Sequence, residues 1–174
     1  MIRSTTEAYS LLHRLGAPHS LLKHVKLVGE AGEALLLELE AMGVRVDQRL
    51  VRLGIALHDA GKIVYPHELA DRGREHEQAG EELLLRYDVQ PEIARCCLSH
   101  ARFNSMQVTL EELLVALADK LWKGHRLAEL ERRVADGVAQ RLDQERWDVF
   151  CRLDPVFAAI AAEGPERLMR SHSA

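Results

Sequence analysis

The sequence predicts an all-α protein, a helical bundle of about eight or nine helices. Three observations carry this. Apolar residues recur at helical spacing along most of the chain. Strand-like alternation is nearly absent. Five prolines and several glycines punctuate the helical pattern. A length of 174 residues suits one domain, residues 1–174, with one sizeable core.

The elements follow in order. Ser4 or Thr5 caps a first helix that runs to about Leu15, where Gly16-Ala17-Pro18 ends it. A long helix covers residues 19–42. Its apolar positions Leu21, Val25, Val28, Leu35 and Leu39 keep a helical period, and Gly43 stands at its end. Gly29 and Gly32 weaken it by about 1 kcal/mol each relative to Ala, and allow close packing. Asp47 caps the next helix, whose central stretch 50–63 reads LVRLGIALHDAGKI. That stretch is apolar on nearly every side up to Leu57, so it is buried. Residues 63–73 read as a loop with a short helical turn, and 75–87 as a helix. Residues 88–91 turn the chain, and Pro91 opens a helix reaching about His100. Residues 101–108 form a loop. Thr109 and Glu112 then make a capping box for the apolar helix LEELLVALADKLWKGH. Residues 126–169 read as two or three amphipathic helices, separated by Pro155 and by Gly164-Pro165.

Several polar residues do not belong on such faces. A carboxylate at the end of a buried stretch is costly unless its charge is compensated. For Asp59 two readings stand: a His58–Asp59 hydrogen bond closing a helix end, or a metal ion held by imidazole and carboxylate. Asp119 sits among Val115, Ala116 and Trp122, where its partner is Lys123, four residues on, or a metal. His24 lies on the buried side of its helix, His76 begins an apolar face, and His100 ends one. Each of these alone reads as an ordinary core histidine. His67 reads as a surface residue, and His125 as a partner of a helix dipole. Together, His24, His58, Asp59, His76, His100 and Asp119 are N and O donors directed inward from five helices. One shared metal centre is a more economical account than five separate ones.

Composition excludes other classes. Net charge is −4, no run of five like charges occurs, and aromatics are only 5%, so there is no strong nucleic-acid signal. No stretch approaches the ~18 apolar residues of a membrane span, and the N-terminus has no signal-peptide core. Three cysteines without a CxxC fit a cytoplasmic protein with reduced thiols. GIALHDAGKI fails as a phosphate-binding loop, because Ala56 stands at the first Gly position and Ile63 replaces the Ser/Thr.

A helix His, then HD, then a distant Asp resembles the HD-domain metal-dependent phosphohydrolases. The matching residues are His24, His58-Asp59 in LHDAGK, and Asp119 in LADK. The spacings are 34 residues from His24 to His58 and 60 from Asp59 to Asp119. HEQAG at His76 and SH at His100 resemble the extra histidines of the binuclear subset. The resemblance covers a core of about 18–123, with helices 126–170 packing on it. It implies that His24, His58, Asp59 and Asp119 hold a first divalent ion, and that Asp59 bridges to a second completed by His76 and His100. Mn, Fe, Co, Ni or Mg, with Zn as a further choice, suits this donor set. The implied activity is hydrolysis of a nucleotide or other small phosphate ester by a metal-activated water, with Asp59 and Lys62 catalytic. Lys62 is similar to the family's HDxGK lysine and contacts phosphate, with Arg102, Lys120 and Lys123 as further substrate contacts.

The GYP motif of the cyclic-dinucleotide branch is absent. Two other readings remain open: an HD-fold di-iron oxygenase using the same six ligands, and a non-catalytic HD module that binds a ligand or partner. The segment WDVFCRLDPVFAAI packs on the core or forms a homodimer contact. Substrate recognition falls to the loops at 64–74 and 101–108.

Overall fold

The computed structural model describes residues 1–71 and 73–172. These form ten α-helices and two 3-10 turns, without a strand. Helix α1 spans Thr5–Arg14, α2 His19–Ala41 and α3 Gln48–Leu57. The 3-10 turns Ala60–Ile63 and Pro66–Leu69 follow. Then come α4 (Glu75–Arg86), α5 (Pro91–Ala94), α6 (Cys96–Arg102) and α7 (Leu110–Leu121). Helices α8 (Ala128–Leu142), α9 (Arg146–Ala162) and α10 (Gly164–His172) complete the chain. None is long and apolar enough to cross a membrane among the described residues.

The expected caps are present. Ser4 accepts from the Glu7 N–H at 3.2 Å, and Asp47 from the Leu50 N–H at 2.9 Å. Thr109 and Glu112 exchange both bonds of a capping box, at 3.2 and 2.8 Å. The helix expected from Pro91 to about His100 divides at Arg95 into α5 and α6. The central stretch also departs from a single helix. It ends at Leu57, and Asp59 leaves helical geometry at φ −104°, ψ 15° before the first 3-10 turn.

Pro155 does not separate helices as expected; it lies inside α9. Leu153 and Phe157 on either side of it are buried, and their packing outweighs the roughly 3 kcal/mol cost of an interior proline. The break falls instead at Asp143, which takes the left-handed conformation at φ 52° and ends α8.

Helix α7 forms the axis of the bundle. Every residue in it except Lys120 is buried. Two of its three buried acids pair with arginines: Arg141 forks Glu111 at 2.8 and 2.9 Å, and Arg95 donates to Glu112 at 2.9 Å. The larger apolar cluster joins α2 and α7 to α8 and α9 through Leu35, Leu114, Leu117, Val134, Leu153 and Phe157. A second cluster gathers Leu11, Leu12, Leu21, Leu84 and Ile93 from α1, α2, α4 and α5. Helix α3 lies between them: Val51 and Ile55 face the larger cluster, and Leu53, Ala56 and Leu57 the smaller. His58 and Asp59 therefore emerge where the two clusters meet. In the segment at 147–160, Val149, Leu153, Phe157 and Ile160 pack into the core, while Trp147 stays 70% exposed.

Candidate metal centre

Six parts of the fold direct the polar set to one place. His24 comes from α2, His58 from the end of α3, and Asp59 from the bend after it. His76 lies in the first turn of α4, His100 in α6 and Asp119 in α7. The turn carrying Gly61 packs directly on α4. A Cβ on Gly61 would lie 1.8 Å from the His76 carbonyl oxygen, so only glycine permits this approach. The approach fixes His76 relative to Asp59 two residues before Gly61.

The donor atoms divide around Asp59. Its Oδ2 faces His24 Nε2 at 3.1 Å and His58 Nε2 at 3.6 Å. Asp119 Oδ1 closes this group, 3.7 Å from His24 Nε2 and 3.5 Å from His58 Nε2. Asp59 Oδ1 points the other way, to His76 Nε2 at 3.3 Å and His100 Nε2 at 3.8 Å. His24, His58 and Asp59 thus offer one compact donor group, and Asp59, His76 and His100 a second.

The donor chemistry fits a divalent cation. His24 Nε2 and His58 Nε2 are buried and have no hydrogen-bond partner. Unpaired buried nitrogens beside carboxylate oxygens are costly unless a cation lies among them. Three of the four histidines, His58, His76 and His100, engage their other ring nitrogen outside the cluster. His58 Nδ1 lies 2.8 Å from the Ile55 carbonyl and His100 Nδ1 3.0 Å from the Cys96 carbonyl. His76 Nδ1 bonds to the Glu68 carboxylate. A proton on each Nδ1 leaves the Nε2 lone pair directed inward, as metal-binding imidazoles require.

The electrostatics agree. Burial favours the neutral acid in Asp59 and Asp119, yet His58 beside both holds them well below the usual carboxylate range, helped by Lys62 and Lys120 respectively. Burial opposes charging of His58 and His76, but the carboxylates around each raise its pKa. His100 behaves oppositely: burial, then the His58 charge, bring it down to about 3.

A cavity of about 490 Å³ opens over the cluster. Its walls include Lys62, Lys120 and Lys123, three of the expected substrate contacts. Lys62 Nζ lies 2.7 Å from Asp59 Oδ2, and Lys120 Nζ 2.8 Å from Asp119 Oδ2. The Asp119 partner is therefore Lys120 and not Lys123. Arg102 departs from expectation: it does not line the cavity, and its guanidinium bonds to Glu77, a buried acid that needs that cation. Arg74 lines the cavity in its place, together with Asp71 and Glu68, none of which the sequence singled out. All three lie in a connection without helical period, where burial leaves no pattern to read. Cavities of about 420 and 470 Å³ open near Tyr9, so size does not select the site; the donor set does.

Residues 21–122 match the HD domain family. Among similar proteins is the uncharacterized protein MJ0778 of Methanocaldococcus jannaschii. It is 29% identical over 140 residues, covering 72% of this chain and 79% of that protein. The tRNA (cytidine(56)-2'-O)-methyltransferase of Thermoplasma volcanium is 27% identical over 139 residues, 71% of this chain and 38% of that enzyme. This chain therefore matches well under half of the methyltransferase. No solved structure matches.

Proposed function

The chain belongs to the HD metal-dependent phosphohydrolase family, with residues 21–122 matching the HD domain, and on that premise we propose that it hydrolyses a nucleotide or other small phosphate ester at a two-cation centre. His24, His58, Asp59 and Asp119 hold the first cation. Asp59, His76 and His100 hold the second. The observation that supports this most is the division of Asp59, whose two oxygens each face a separate imidazole pair.

A divalent cation in such a site acidifies a water and neutralises charge building on phosphoryl oxygens. The chain's own residues supply the rest. The depressed pKa of Asp59 keeps its carboxylate charged toward both positions and makes it a weak base. Lys62 and Lys120 neutralise Asp59 and Asp119, a task that bound cations would share, and both ammonium groups line the cavity. There they meet phosphoryl oxygens together with Lys123 and Arg74. The cavity lining carries Lys62, Arg74, Lys120 and Lys123 beside five carboxylates, Asp59, Glu68, Asp71, Glu77 and Asp119, so these four cationic side chains are the groups that an anionic substrate would meet there.

The test is phosphate release by chelator-stripped protein, with and without added Mn, Fe, Co, Ni, Mg or Zn. Nucleoside mono- and diphosphates and an aryl phosphate form the first panel. An RNA end bearing a phosphate joins it, because one relative is a tRNA methyltransferase. Activity should require the metal. Asp59→Ala should lower kcat/KM by more than the roughly 10–100-fold typical of an outer-shell change. Full activity in Asp59→Ala would overturn the site. Oxygen uptake without phosphate release, in iron-loaded protein, would replace hydrolysis by the oxygenase chemistry.

A further inference from the structure

Glu68 is an acid in a polar connection, yet it is only 4% exposed. It belongs to the 3-10 turn Pro66–Leu69, and its carboxylate reaches the start of α4. Oε1 accepts from the Glu75 N–H at 3.1 Å, and Oε2 from the His76 N–H at 3.4 Å. Oε2 also accepts from His76 Nδ1. Arg74, at the N-cap of α4, makes no side-chain cap bond, so Glu68 does that work from seven and eight residues before the amides it binds. Gly73 makes room for it. A Cβ there would lie 2.1 Å from the Glu68 carboxyl carbon.

The same carboxylate determines how His76 faces the cluster. With Nδ1–H donated to Glu68, Nε2 is the nitrogen that faces Asp59 Oδ1, 3.3 Å away, and that would be left to bind a cation. His58 and His100 use backbone carbonyls for this purpose. A carboxylate acceptor makes imidazole a stronger donor to a cation than a carbonyl does. Glu68 also ties His76 to a wall of the cavity, since Asp71, Gly73 and Arg74 lie between them in sequence and line it.

We infer that Glu68 is a positioning residue: it holds His76 as a ligand of the second cation and couples occupancy of that position to the cavity wall around Gly73 and Arg74. This rests on the two-cation reading above. Glu68 touches no reacting atom and acts through His76.

Manganese(II) titrated calorimetrically into the chelator-stripped full chain tests it. The wild type should bind two ions. Glu68→Gln and Glu68→Ala should each weaken one binding event, the Ala variant by about 10–100-fold, and leave the other unchanged. In a His76→Ala background, Glu68→Ala should add nothing further. Hydrogen exchange gives a readout independent of activity. Manganese should slow exchange of the Glu75 and His76 amides in the wild type, and much less so in Glu68→Ala. If Glu68 serves only as a helix cap, both sites weaken together, or the two substitutions add; either result overturns the inference. Glu68→Gln, which keeps a neutral acceptor and the shape, provides the reading if the Ala variant does not fold. Two undisturbed ions in both variants would refute the role of Glu68 alone. A wild type that binds fewer than two would refute the two-cation reading and this inference with it.

Discussion

His58, His76 and His100 do not carry protons alike. The carboxylates around His58 and His76 overcome burial and raise both above the ordinary histidine value. His100 is lowered to about 3, so it is neutral near pH 7. The signs oppose each other. Stability from charged His58 and His76 is complete below about pH 6.5 and is lost as pH rises through their raised values. Stability from neutral His100 is complete above about pH 6.5 and is lost as pH falls toward 3. A cation must displace protons from His58 and His76 but none from His100. Manganese affinity of chelated protein should therefore rise between about pH 6 and 8, with proton release visible in two buffers of different ionisation enthalpy. His76→Ala should reduce the protons released, whereas His100→Ala should weaken binding without changing that number. An affinity flat across this range would contradict the assignment. The gathering of His24, His58, Asp59, His76, His100 and Asp119 was legible in the sequence because each interrupts an apolar stretch. Glu68 and Arg74 were not, since no period marks burial in a connection. The pairing of Arg102 was not legible either, because its partner, Glu77, is twenty-five residues away and buried only by the fold.

At the scale of elements, the centre depends on how the 3-10 turn Ala60–Ile63 meets α4. Gly61 lets the turn lie against the His76 carbonyl, and Gly80, one turn along, receives it. Gly61→Ala must push two backbones apart. We expect a loss of about 1–3 kcal/mol, as for other overpacked sites. At about 2–4 °C per kcal/mol, the thermal midpoint falls by roughly 2–12 °C. Binding at the His76–His100 position should weaken more than at the His24–His58 position, because the displacement falls between Asp59 and α4. Gly29→Ala is the contrast: its nearest neighbour is the Tyr9 hydroxyl at 3.7 Å, and the change should stabilise α2 by up to about 1 kcal/mol. Equal effects of the two substitutions in a thermal melt would remove the argument. Helix starts were readable from Ser4, Asp47 and Thr109 because a cap is a local bond. The ends were less so. Pro155 marks a stop by its own chemistry, but the packing of Leu153 and Phe157 carries α9 through it. Asp143 ends α8 in a conformation that nothing in its residue type demands.

Across the whole molecule, the centre gathers its donors from where the two apolar clusters meet. His24, His58, Asp59, His76, His100 and Asp119 span nearly a hundred residues of sequence. An unfolded chain does not bring them together, so cation binding to the folded state appears as stability. At a free concentration of 100 Kd, each site adds about 2.7 kcal/mol. For a chain of this size that is a rise of roughly 5–10 °C in midpoint per site. Asp59 belongs to both groups and His24 to one. Asp59→Ala should therefore abolish the manganese-induced shift, and His24→Ala should remove about half of it. The chelated forms serve as reference, so the comparison reads cation linkage separately from the cost of each substitution. Helices α8 and α9 contribute no donor, but Val134, Leu153 and Phe157 share a cluster with Leu114 and Leu117 on α7, the helix that carries Asp119. Cutting Leu117 to Ala should cost about 2–5 kcal/mol in the chelated protein while preserving the manganese shift, because it removes packing and no donor. A midpoint insensitive to manganese in the wild type would mean that these six side chains do not act as one centre.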